Sequence, residues 1–347
     1  MHITEAAKKL NTTPRTIRLY EDKGLISLKK DKDNGYRYFS DNDLMRLSTI
    51  LALREIGIAV ADIQKLLADS KMEMNDLLNV QRAALYEQWL EMKDMISTID
   101  DMLNHTKKKE LDTVKIYELA QHLKNLKIIR KNWKDKWNFD SQAEDYDTNL
   151  KMHGYRFNVH QNYETALDEV VERIHLKEGD TCLDIGIGTG NLGSKFLKQG
   201  IHVIGVDQSE KMLEVCKEKH PQIEVRNGHF LALPLLDNFV DGIVSSYALH
   251  HLQDEEKMLA LEEMNRVIKP GGEICIADLM FIDDGHRKSV MESFQQAGNT
   301  EAIEAIKDEF YADRSELITW FSGNDYEVES IQINPILSVI YAKQVKG

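Results

Sequence analysis

The hydrophobic period of this 347-residue chain changes once. Through residue 136, apolar side chains recur every third or fourth position, as on amphipathic helices. From Thr181 onward, apolar runs at 181–185, 202–207, 222–226, 240–246 and 272–279 alternate with helical segments. After Arg314 a helix to about Ser322 precedes two strand-like runs, 326–333 and 336–342. Strands alternating with helices build a parallel sheet covered by helices. The two periods require separate cores, so the expected fold is multidomain α plus α/β. A helical region comes first, then a Rossmann-like domain with a mostly parallel seven-stranded sheet ending in an edge hairpin. At roughly 100–200 residues per domain, the length also calls for two domains, or three with a linker. The expected divisions are 1–70, 71–104, 105–136 and 137–347.

Composition narrows the class. With 42% apolar and 29% charged residues, and only 5 Pro and 19 Gly, the chain is neither disordered nor collagen-like. No window approaches 18 consecutive apolar residues, and Met1-His2-Ile3-Thr4-Glu5 is not a basic segment followed by an apolar one. Cys182, Cys216 and Cys275 are far apart without a CxxC, which argues against a disulfide framework and a thiolate zinc site. A cytoplasmic protein with no membrane partner is expected. The net charge of -14 is unevenly spread: residues 1–70 carry +2 and 137–347 carry -18. A phosphate backbone is tolerated by the first part and repelled by the last, so the two ends have different partners.

In residues 1–70, Thr13-Pro14 supplies a cap and a first-turn proline for a helix to about Asp22, which Gly24 closes. Asp33-Asn34-Gly35 between apolar flanks predicts a two-stranded wing, and two more helices follow at about 41–55 and 59–69. A helix-turn-helix lays its second helix in the DNA major groove, and a wing grips adjacent phosphates. Arg15, Arg18 and Tyr20 on the helix, with Lys29, Lys30, Lys32, Tyr36 and Arg37 on the wing, are suitable donors to phosphates and base edges.

From Leu78, the positions 78, 85, 89, 92, 96, 99 and 103 are Leu, Leu, Trp, Met, Ile, Ile and Leu, a coiled-coil seam on a helix expected over 77–103. A second copy of the chain is its natural partner. The alternative, an ordinary amphipathic helix folded back on the second domain, stays open. Residues 105–136 are lysine-rich with a stripe at Ile116, Leu119, Leu123 and Leu126, which reads as linker helices.

The run Thr16-Ile17-Arg18-Leu19-Tyr20-Glu21, with Gly24-Leu25-Ile26, Asn34-Gly35-Tyr36-Arg37-Tyr38 and Glu55-Ile56-Gly57-Ile58, resembles the MerR family of bacterial transcription regulators. The resemblance implies a winged helix-turn-helix dimer on a palindromic promoter, an antiparallel coiled coil and an effector domain beyond. By position, Arg15, Arg18 and Tyr20 match the recognition-helix contacts, and Tyr36 and Arg37 the wing contacts. Metal-sensing members carry cysteines at the coiled coil; here none precedes Cys182, which argues against a metal effector.

Leu183-Asp184-Ile185-Gly186-Ile187-Gly188-Thr189-Gly190 falls where a strand ends and a helix begins, where glycines let backbone approach a ligand. Position 191 is Asn, so the spacing is GxGxG and not the dinucleotide GxGxxG. Asp184 is awkward beside a pyrophosphate and apt beside a cation. Asp207, at the end of the second strand, suits the two hydroxyls of a ribose. A nucleoside without phosphates that bears an ammonium satisfies all three, and S-adenosylmethionine is such a molecule.

Residues 139–347 also resemble class I S-adenosylmethionine-dependent methyltransferases, most closely a small YrrT-like group. The resemblance runs through Phe139-Asp140, Ala143, Tyr146-Asp147, the glycine motif, Ser245-Ser246-Tyr247-Ala248-Leu249-His250-His251-Leu252 and Lys269-Pro270-Gly271-Gly272. By position it implies that Asp184 and the backbone of Gly186, Gly188 and Gly190 hold the methionine part, Asp207 the ribose, and Gln208 and Met212 the adenine. His229, Phe230 and Ser246 complete the cofactor set. Gly228-His229-Phe230 departs from the Gly-Asp-Ala or Gly-Asp-Phe common there.

Methyl transfer needs alignment and sometimes removal of a proton. His250 and His251 follow the fourth strand and Asp278 ends the fifth, at the carboxyl edge where substrates sit, so these three are the candidate catalytic residues. Adjacent histidines are expected to diverge, with no third ligand near, and no metal site is expected. The fourth strand lacks the polar-Pro-Pro-aromatic motif of nucleic-acid amino-methylation, and no cysteine follows a proline, so a small-molecule acceptor is the better reading. A catalytically idle sensor of S-adenosylmethionine or S-adenosylhomocysteine is the alternative.

Overall fold

A computed structural model describes residues 1–30, 37–68, 74–108, 110–132, 137–150 and 158–345, and these divide into two compact units, Met1–Arg82 and Ala83–Gly347. In the first, local chemistry sets each boundary. Helix α1 spans Ile3–Lys9 and α2 Pro14–Asp22. Thr13 Oγ1 accepts the Thr16 amide at 3.1 Å, and Gly24 takes the left-handed φ of +72° past the end of α2. Strands β1 (Lys29–Lys30) and β2 (Arg37–Tyr38) pair antiparallel as the expected wing, whose Asp33-Asn34-Gly35 turn lies outside the described residues. Ser40 and Asp43 cap α3 (Asp41–Glu55) reciprocally, and α4 covers Val60–Ala68. Ile17, Leu47, Ile50 and Ile63 are fully buried at the centre. Leu77, from the first turn of α5 (Met74–Lys108), joins them.

The second unit begins within α5, whose 35 residues span about 52 Å at ~1.5 Å per residue. One face of α5 packs on this unit: Leu90 is buried, the Arg266 guanidinium lies 5.0 Å from the Trp89 ring centre, Lys93 meets Asp237 at 3.0 Å, and Asp94 pairs with Arg130 of α6 (Thr113–Asn132). The seam face stays open, with Leu85, Met92, Ile96, Ile99 and Leu103 between 45% and 57% exposed. The helix thus folds back on this unit with one stripe, which takes Trp89 from the expected seam, and leaves Leu85, Met92, Ile96, Ile99 and Leu103 to solvent.

Helices α7 (Tyr146–Leu150) and α8 (Tyr163–Arg173) lead into strands β3 (Thr181–Ile185), β4 (His202–Asp207), β5 (Glu224–Asn227), β6 (Val240–Ser246) and β7 (Ile268–Phe281), with α9 (Gly193–Leu197), α10 (Glu210–Lys219) and α11 (Asp254–Val267) between them. Helices α12 (Asp284–Gln296) and α13 (Thr300–Asp308), the two-residue β8 (Ala312–Asp313), α14 (Arg314–Gly323), β9 (Tyr326–Asn334) and β10 (Leu337–Gln344) complete the unit. The order is β5-β4-β3-β6-β7-β10-β9, with β8 beside the end of β7. The sheet therefore has eight strands and not seven. The extra one pairs only Met280↔Ala312 and Phe281↔Asp313, too short to show a period in sequence. The expected hairpin, β9 with β10, forms that edge of the sheet, β10 running antiparallel between β7 and the terminal β9. Alternate residues feed opposite faces: Leu183, Ile185, Val206 and Ile243 pack with α11 and α14, while Cys182, Val203, Val244 and Cys275 pack with α8, α9 and α10.

Candidate functional site

The loop after β3 is shaped by three glycines at φ +72° (Gly186), +52° (Gly188) and +91° (Gly190), where a side chain would be strained. A Cβ on Gly186 would meet Ala248 at 2.4 Å and one on Gly190 would meet His220 at 2.7 Å, whereas Gly188 faces open space. The amides of Gly186 and Ile187 donate to the Val206 carbonyl, and that of Gly188 to Asp207 Oδ2 at 2.9 Å. Ser209 N, at the cap of α10, donates to Asp207 Oδ1 at 2.9 Å. The Asp207 carboxylate is thus fixed before any ligand arrives.

A cavity opens at the carboxyl edge of β3, β4 and β6, the edge at which open α/β sheets take their ligands. Of the expected cofactor residues, Gly186, Gly188, Asp207, Gln208, Met212, His229, Phe230 and Ser246 line it. Gly190 does not, and packs on α10 instead. Asp184 does not line it either: the carboxylate is buried beside Gly193, whose amide lies toward it without closing a full hydrogen bond. Burial raises its pKa to about 7, with the Gly193 amide opposing in part and Asp207 adding to the rise.

The far wall is made of Phe139, Tyr146, Tyr163 and Tyr247. Two aspartates hold residues 139–150 across the opening. Asp140 Oδ1 accepts from Ser209 Oγ at 2.6 Å, and Asp147 Oδ1 accepts from Thr189 Oγ1 at 2.6 Å and Asn191 Nδ2 at 3.0 Å, while Lys219 pairs with Oδ2. Burial works against the Asp147 anion, but these bonds outweigh it and lower its pKa. The sequence signalled Tyr146 and Asp147 only through the resemblance. It gave no separate sign of Tyr163, which comes from α8, or of Asn191. Tyr247 was marked only by its place after the fourth strand.

Beside the cavity, Asp278 Oδ2 accepts the Ala248 amide at 3.0 Å and the Leu249 amide at 2.5 Å, and Oδ1 accepts the Leu279 amide at 2.6 Å and His250 Nδ1–H at 2.5 Å. Burial alone would lower the His250 pKa, yet the charge and hydrogen bond of Asp278, joined by Glu309, raise it. His251 lines the cavity and leans on Trp137 and Phe139, with ring centres 4.3 and 5.0 Å away. Burial, with His250 adding, pushes its pKa down to about 2, so at neutral pH it is an uncharged imidazole and a poor proton acceptor.

The expectation that the histidines diverge with no third ligand near does not hold. The 3-10 turn Leu249–His251 brings their rings to 4.0 Å, and Glu309, just beyond α13, puts Oε2 3.9 Å from His250 Nε2. A chain contact 59 residues distant leaves no mark in local spacing.

In the first unit, Arg15 and Arg18 are exposed on α2 as expected. Tyr20 is not: at 5% exposure it shares the inward face with Ile17, three residues before it, and Leu19 takes the outward position. Tyr36 and Lys32 lie outside the described residues, and Arg37 is placed only as a strand residue of β2.

A GxGxG turn, a doubly held acid on the second strand and a cavity at the sheet's carboxyl edge define a nucleoside-binding α/β domain, in a chain that also has a winged helical domain. Residues 182–272 match the methyltransferase domain family, and residues 1–70 the MerR HTH family of regulatory proteins. An uncharacterized methyltransferase of Alkaliphilus oremlandii is 33% identical over 205 residues, covering 59% of this chain and 94% of its own length. One of Anoxybacillus flavithermus is 33% identical over 197 residues, 56% and 91% of the two chains. The YcgJ protein of Bacillus subtilis is a similar solved structure, with a TM-score of 0.44, 20% identity and coverage of 53% and 100%. The chain belongs to this methyltransferase family through its C-terminal part and carries a MerR-type helix-turn-helix domain ahead of it. The methyltransferase fold implies S-adenosylmethionine as cofactor.

Proposed function

We propose that the chain is a dimeric, promoter-binding transcription regulator, resident in the cytoplasm, whose C-terminal domain binds S-adenosylmethionine and methylates a small molecule. Residues 1–70 bind DNA through Arg15, Arg18 and the wing, 71–104 dimerise through the open seam of α5, 105–136 link, and 137–347 carry the reaction. One observation carries this reading: the cavity edged by the doubly held Asp207 also meets His251, so a nucleoside site and a buried histidine-carboxylate cluster adjoin.

The residues present suit the donor. The Asp207 oxygens keep lone pairs for the ribose hydroxyls, and Gln208 and Met212 flank the base. The unpartnered Asp184 carboxylate supplies negative charge under the loop, which favours a ligand with an ammonium and a sulfonium. When bound, the donor offers an electrophilic methyl on a cationic sulfur. Tyr146, Tyr163 and Tyr247 present electron-rich rings to that charge and exclude water. Of the candidate catalytic residues His251 lines the cavity and His250 and Asp278 lie behind it, and the three are assigned to orienting the acceptor. The -18 balance of residues 137–347 opposes a nucleic-acid acceptor.

A second reading, a sensor of S-adenosylmethionine or S-adenosylhomocysteine without turnover, is favoured by one contact. His229 lines the cavity where the family commonly has a carboxylate, and its Nε2 lies 3.5 Å from Glu87 Oε1 on α5. Incubation with methyl-labelled S-adenosylmethionine and cell extract separates the two. Label in a small-molecule product is the expected outcome. Absence of transfer, with operator affinity changed several-fold by either nucleoside, overturns the enzyme reading for the sensor.

A further inference from the structure

His250, His251 and Glu309 form a cluster to which the proposed donor contacts assign no role, although His251 also lines the cavity. His250 Nδ1 is committed to Asp278, so Nε2 is the nitrogen left to bind, and it faces Glu309 Oε2 at 3.9 Å. With a ring nitrogen of His251, three ligand atoms from three residues lie within 4.8 Å of one another, the one such group of metal-ligating side chains among the described residues. His251 Nδ1 and Glu309 Oε2 are buried and complete no hydrogen bond, and neither does the buried Tyr311 hydroxyl, the donor that faces Glu309. Buried polar atoms are nearly always partnered, and two orphans in one cluster call for a third body between them. The Phe310 amide donates to the His250 carbonyl at 3.0 Å and fixes the Glu309 segment against the histidine turn.

We infer that His250, His251 and Glu309 hold a divalent transition-metal ion on the acceptor side of the cavity, with Asp278 orienting His250 from behind. The inference rests on the reading of this edge as the acceptor site. Ligands at about 2.0–2.2 Å from an ion stand roughly 3 Å apart, so the 3.9 Å gap closes by about 1 Å, within the reach of a glutamate side chain. Two imidazoles and one carboxylate favour the manganese-to-zinc series over magnesium or calcium, which prefer all-oxygen shells. The arrangement behind the ligands fits as well: a histidine that binds metal through one nitrogen commonly donates its other N–H to a carboxylate, as His250 does to Asp278. Three protein ligands leave coordination positions open, as in catalytic and not structural sites. The acceptor class that follows carries an oxygen or nitrogen able to coordinate the ion.

The test uses the full chain, stripped with a chelator and titrated with cobalt(II) alone, read by visible absorption. One equivalent per chain with ligand-field bands is expected, and Glu309→Gln and His251→Ala should each weaken binding at least tenfold. Calorimetric titration of Glu309→Gln with S-adenosylmethionine, expected within about threefold of the parent, shows that this chain is folded. Absence of cobalt binding to the parent at millimolar concentration, or binding undiminished in both variants, overturns the metal site. Donor binding without cobalt binding removes the ion and leaves the methyltransferase reading in place; cobalt binding without donor binding does the reverse.

Discussion

Asp184 is the residue on which burial and function pull in opposite directions. Its pKa, raised from 3.8 to about 7, means the ligand-free fold keeps a proton that the unfolded chain releases. The associated stability is present below about pH 4 and is lost as pH rises through 7. Asp184→Asn should therefore raise the melting temperature by a few degrees at pH 8 and leave it nearly unchanged at pH 4, as calorimetric scans would show. Binding of a cationic ligand favours the anion, so the parent's affinity for S-adenosylmethionine should rise from pH 6 to pH 8 and then level, a trend the Asn variant lacks. At the DNA end, exposed Arg18 should matter and buried Tyr20 should not contact bases. Arg18→Ala should cost about 1–3 kcal/mol of operator discrimination, measured by anisotropy with labelled duplexes. Sequence spacing sufficed for Gly188 and Asp207, because strand, turn and helix lie consecutively. It missed Glu309 and Tyr163, which arrive from remote segments, and it ranked Tyr20 by motif position although Ile17 and Tyr20 share a helical face.

Among the elements, α5 joins the two compact units without a break, since it begins in the first and continues into the second. Its two stripes differ: Leu90 and Lys93, with Trp89 from the expected seam, pack against their own unit, and the remaining seam residues are exposed where the proposed partner helix would lie. Ile96→Glu with Ile99→Glu places charges on that seam without touching the packed face. Sedimentation should then show monomer where the parent is dimer, with the circular dichroism spectrum unchanged; a parent that sediments as monomer at tens of micromolar would contradict the seam's role. The helix was legible because its heptad spacing is regular, although its ends at Met74 and Lys108 exceed the expected 77–103. Strands β3, β4 and β6 were legible to the residue, since each is a short apolar run bounded by polar residues. β7 starts four residues before its expected 272 because a Lys-Pro-Gly-Gly sequence, which reads as a turn, is here the strand's first part.

At the scale of the whole molecule, the proposed regulation requires α5 to carry a ligand signal from the acidic methyltransferase part to the weakly basic helix-turn-helix part. Glu87 lies 3.5 Å from His229, which lines the cavity, so under the sensor reading a ligand that moves this wall would bias the helix. A ligand shifts DNA affinity only by its differential affinity for the two states. Glu87→Ala should leave donor binding within about threefold and reduce the change in operator affinity that S-adenosylmethionine produces; an unchanged shift would place the coupling elsewhere. All of this depends on the donor site, and the most direct measurement is calorimetric titration of the full chain with S-adenosylmethionine, beside Asp207→Ala. One site per chain is expected, weakened in the variant by about 2 kcal/mol, or roughly thirtyfold, as ribose hydroxyls lose their acceptor. No heat at millimolar ligand, or equal affinity in the variant, would contradict the account.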